Sequence, residues 1–127
     1  MFGFFGLFGR SSEMKRLDQA VSAVGLDPRL VPDAVQLALY NLLKEANRGA
    51  DPAPADYHTA AAMLGYCMLG AQGFTEANGL DLTEAAEARL ETALGPGDSL
   101  DARIVLLALH AGVIQAQVVE RYQLGTD

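Results

Sequence analysis

Two histidines, one cysteine and a row of glutamates are the residues whose types could do chemistry here. A metal-dependent enzyme would need His58 and His110 on one ion, with carboxylates beside them. His58 has Asp56 close by, but neither histidine has a second one four residues away, and no H-E-x-x-H spacing occurs. Glu84, Glu87 and Glu91 follow one another at i, i+3 and i+7, a spacing that could hold a hard cation. The same spacing describes a solvated helix face with carboxylates near its positive end. The EF-hand pattern is absent, so the solvated face is expected. Cys67 lies mid-helix between Leu64 and Met68, with no cation or helix start to activate it, and reads as an inert small hydrophobe. Gly3, Gly6 and Gly9 precede no lysine and follow no strand, so they form no phosphate loop. No catalytic residue, metal or cofactor is expected from these patterns, and the balance leans away from an enzyme.

One polar face remains. On a single long helix, Arg103, His110, Gln117 and Arg121 would fall in a row. A boundary histidine half in water accounts for the row most simply. The sharper alternative is an anion site built from the two arginines, and a histidine titrating near neutrality could act as a switch.

The elements that must position these groups are helical. Half of the 127 residues are apolar, and Ala and Leu, strong helix formers, dominate. The length suits one domain. Met14, Leu17, Val21 and Val24 share a face of a first helix, Ser12 to Val24, closed by Gly25. Val35, Ala38, Leu39, Leu42, Leu43 and Ala46 mark a second from about Pro32 to Asn47, closed by Gly49. A third, about Ala55 to Thr75, is apolar on nearly every side and so should be central. A fourth spans about Leu82 to Leu94, with Asp81 and Glu84 as a capping-box-like start. A fifth starts at a cap on Asp98 or Ser99 and runs to about Gln123. The expected fold is all-α: a compact array of about five helices, residues 12–127, with the third and fifth at its centre. Ala61 and Gly65 on the third, and Ala108, Gly112 and Ala116 on the fifth, are small residues four apart, predicting a close crossing of the two.

Residues 1–11 stand apart as an apolar arm. Phe2, Phe4, Phe5 and Phe8 are four of the five phenylalanines, and Leu7 sits among them. Burying one phenylalanine is worth about 1.5–3 kcal/mol, so the segment favours a docking site. That site could be its own domain, a second copy, another protein or a membrane surface beside Arg10, Lys15 and Arg16. The run is too short for a membrane span and lacks a basic region before it, so no signal peptide is expected.

The net charge is −7, concentrated in residues 49–101, which hold nine acidic residues and one basic. Such a surface repels phosphate backbones, so no nucleic-acid partner is expected. One cysteine excludes an internal disulfide and fits a reducing compartment, here taken as the cytoplasm. Together these features predict a non-enzymatic interaction module that self-associates as a homodimer or binds another protein. The alternative is a small-molecule or lipid pocket between the third and fifth helices, lined by Met63, Cys67 and His110.

Overall fold

A computed structural model describes residues 11–125. The aromatic arm of residues 2–8 therefore lies outside the described residues. Among the described residues the chain is all helical, as expected, with six α-helices. They are α1 (Ser12–Ala23), α2 (Asp33–Ala46), α3 (Pro54–Asn78), α4 (Leu80–Ala93), α5 (Leu100–His110) and α6 (Ala116–Tyr122), with a 3₁₀ turn at Pro28–Leu30. None is long and apolar enough to cross a membrane.

Local chemistry sets most of the boundaries. Ser11 caps α1 by accepting from the Met14 amide at 3.2 Å, and Ser99 does the same for α5 with Ala102 at 3.1 Å. Pro54 opens α3, where Asp56 accepts from the Ala53 amide at 2.8 Å. At the end of α1, Gly25 takes φ +87°, with Gly25 N–H on Ser22 O and Leu26 N–H on Val21 O, both at 3.0 Å. This paired closure is the one a glycine at that position predicts.

The third helix is the axis of the fold. It packs against all five others, and Ala60, Ala61, Met63, Leu64, Tyr66 and Cys67 are wholly buried. Arg89 of α4 fastens two neighbours to it, gripping Asp101 of α5 with two nitrogens and donating to Thr59 O at 2.9 Å. The close approach at Gly65 is not to α5, however. A Cβ there would lie 2.9 Å from Val24 Cγ2, so this glycine admits the end of α1.

The expected fifth helix is two. It stops at His110, turns through residues 111–115 and restarts as α6, so Ala108, Gly112 and Ala116 share no helical face. The break answers a second break in α3. Gly70 sits at φ 79° and ψ 173°, which interrupts the i→i−4 ladder and strands backbone groups on both sides. The α5–α6 turn supplies their partners. Gln115 N–H donates to Cys67 O at 2.8 Å, the Gln115 side chain donates to Met68 O at 2.9 Å, and Gln117 Oε1 accepts from the Ala71 amide at 3.1 Å. Only glycine occupies that backbone region without strain. A Cβ at Gly70 would also meet Gln117 Oε1 at 3.3 Å. Gly70→Ala is therefore expected to cost about 1–3 kcal/mol in urea unfolding. A change below about 0.5 kcal/mol, the usual range of a featureless surface site, would contradict this account of the clip.

Candidate functional site

With the α5–α6 turn anchored on α3, α6 packs on α3 and the residues at and after its end come to lie beside α5. Val118 and Leu124 are buried there, and Gly125 comes to rest beside Leu109. A groove of about 510 Å³ results. Leu94 and Gly97 of the α4–α5 connection form one wall, and Tyr122 and Leu124 form the other. Ala102, Val105, Leu106 and Leu109 of α5 also line it. Leu94 and Leu106 are each 48% exposed, an unusual state for two large apolar side chains in one depression. Asp98 is the one charged residue in the lining.

Tyr122 is held in place by a polar network that links α3, α4 and α6. Glu87 accepts from the buried Tyr66 hydroxyl at 3.0 Å and from Arg121 at 2.6 Å. The Tyr66 and Tyr122 hydroxyls meet at 3.4 Å, which joins α6 to the network. Arg121 also stacks over the Tyr122 ring, 5.2 Å from its centre. Burial, then the bonds to Tyr122 and Glu87, push the Tyr66 phenol well above its ordinary range.

The residues singled out in the sequence are dispersed. Arg103 binds Asp98 with two nitrogens and Glu45 at 2.8 Å, tying α5 to the end of α2. Arg121 is on a different helix and faces Glu87. His110 is exposed at the end of α5. The helix break removes the common face that would have aimed these three at one anion. Met63 and Cys67 are wholly buried, and burial pushes the Cys67 thiol up to about 12. Glu87, expected in a solvated row with Glu84 and Glu91, is instead the acceptor at the centre of the network. Among the described residues no three His, Cys, Asp or Glu side chains cluster as metal ligands.

A second cavity, about 320 Å³, lies between α1 and the start of α3. Arg16, Gln19, Ala20, Ala23, Pro54, Tyr57 and His58 line it. The Asp56 carboxylate, which sequence proximity paired with His58, is turned to the Ala53 amide instead. Neither cavity was legible beforehand. An exposed leucine and a buried one look alike in sequence, and Arg16 and Tyr57 line one cavity from two different helices with nothing local to signal it. Compared with known proteins, the chain matches no family model, no curated protein and no solved structure.

Proposed function

We propose that this protein is a non-enzymatic interaction module that self-associates, the aromatic arm of one copy seating in the α5–α6 groove of a second. The observation that carries this reading is the groove itself: two half-exposed leucines and a fixed tyrosine around an apolar floor, in a chain with a four-phenylalanine segment. Position supports a second copy as the occupant. The arm precedes α1, which packs mainly on α2 and α3, whereas α4, α5 and the C-terminal residues build the groove. Ten residues reach at most about 36 Å, and reciprocal exchange fills both grooves of a two-fold dimer. A cytoplasmic setting belongs to this reading, with the lone thiol buried and reduced.

The two exchanged arms carry four phenylalanines each, and their burial set against the cost of association gives a Kd on the order of micromolar. Light scattering across 5–200 µM protein tests the proposal. The full chain is expected to approach twice its monomer mass, and a version lacking residues 1–10 to remain monomeric. Leu106→Asp, at an exposed position, is expected to keep the helical circular dichroism and lose the dimer. A full chain that stays monomeric throughout, or an armless one that dimerises equally well, refutes it.

A further inference from the structure

The two walls of the α5–α6 groove are anchored unequally. Its floor, α5, buries Ile104, Val105 and Ala108 and packs on α2, α3 and α4. The wall of Tyr122 and Leu124 belongs to α6 and the residue turn after it. Within α6 only Val118 is buried, and the main packing of that helix is on α3 alone. Its seven residues make about two turns, too few for a helix that holds without its neighbours. The remaining attachments are polar. Gln115 and Gln117 bond α3 at its Gly70 break, Arg121 pairs with Glu87, and the Tyr122 hydroxyl meets that of Tyr66. Gln115, Gln117 and Arg121 are exposed, so water solvates them when the helix lifts. Gly112, at φ 72°, stands between this segment and α5 and supplies a hinge. Local openings of a fold draw on segments of this kind, with few buried apolar contacts and exposed hydrogen bonds.

We propose that residues 113–125 form a lid that lifts off α3 as a unit, with the Arg121–Glu87 pair as its catch, and that an arm seated in the groove holds the lid closed. The closing step rests on the arm-exchange reading; the lifting step does not. An arm that touches Tyr122 and Leu124 finds its complete groove only in the closed state, so its binding shifts the lid toward that state. The groove is then regulated by its own wall: whatever opens the lid weakens the dimer.

The test is amide hydrogen exchange of the full chain, followed by mass spectrometry at 0.2 and 200 µM, with light scattering at the higher concentration. At 0.2 µM, below the dimer's Kd, peptides from 113–125 are expected to exchange about a hundredfold faster than those from 57–66, the buried part of α3. Arg121→Gln, at an exposed position, should speed 113–125 about threefold more and leave 57–66 unchanged. At 200 µM the same segment should slow about tenfold or more as arms fill the grooves. Equal exchange of 113–125 and 57–66 at 0.2 µM, or an Arg121→Gln variant that speeds both alike, overturns the lid. A chain that dimerises without slowing 113–125 overturns the coupling. A chain that stays monomeric at 200 µM refutes arm exchange and with it the coupling, while the contrast at 0.2 µM still decides the lid.

Discussion

Raising the pH from 8 to 11 is expected to remove about 4 kcal/mol of folding stability, a large fraction of what a domain of this size holds. Two wholly buried acids cause it. Burial holds the Cys67 thiol up at about 12, and holds the Tyr66 phenol above its ordinary range in the network with Glu87 and Tyr122. In the unfolded chain these groups lose their protons near pH 8.5 and 10. Between those values and the folded ones, the native state binds more protons than the unfolded state, so stability falls as pH rises. Each group costs about 1.4 kcal/mol per pH unit, giving about 3 kcal/mol from Cys67 and about 1 from Tyr66 by pH 11. Tyr57, also raised by burial, acts in the same direction. Urea unfolding at pH 8, 9, 10 and 11 measures the slope. Cys67→Ala should begin less stable, because it leaves a small cavity, and should show almost no decline between pH 8 and 10. A parent and variant with parallel pH profiles would mean that Cys67 ionises as freely in the fold as outside it.

The largest effect expected of one added methyl group is at Gly25. Its φ of +87° closes α1, and a Cβ there would lie 2.4 Å from the Cβ of Ala77. The two surfaces cannot part easily. Asn78 bonds Val24 O at 2.8 Å and so pins the end of α1 onto the end of α3. Left-handed strain costs about 1–2 kcal/mol and the forced separation about 1–3, so Gly25→Ala should lose about 3 kcal/mol. For a domain of this length that lowers Tm by roughly 10 °C. Pairing it with Ala77→Gly separates the two causes. The double variant should recover the contact share, a coupling of about 1–2 kcal/mol in a mutant cycle, and keep the backbone strain. Gly25→Ala within about 0.5 kcal/mol of the parent would show that α1 docks loosely.

These predictions mark where sequence reasoning worked and where it stopped. The closure of α1 at Gly25 was readable, the cap of α5 was narrowed to Asp98 or Ser99, and the start of α3 was placed within a residue of Pro54, because each is decided within four residues. The apolar stripe of α2 and the nearly uniform apolarity of α3 were readable as well, and they placed α3 at the centre. Why Gly25 cannot be alanine was only half readable. The turn needs the positive φ, but the contact with Ala77 joins residues more than fifty positions apart.

The predicted long fifth helix failed for a related reason. Within residues 100–123 the helix formers are interrupted at Gly112, which takes φ +72° and closes α5 as Gly25 closes α1, though helix-forming residues resume beyond it. The interruption is stabilised by backbone groups that Gly70 exposes on α3, which Gln115 and Gln117 satisfy more than forty residues away. Once the helix breaks, the polar row of Arg103, His110 and Arg121 disperses, Glu87 acquires Arg121, and a groove opens where a continuous helix would have run on. Periodicity and caps thus determined by themselves that this chain is an all-helical array around its third helix, since burial of an apolar stripe is a local demand. Only the tertiary structure decided which polar groups meet and where apolar surface stays open, because both depend on which freed backbone groups find a partner from a distant part of the chain.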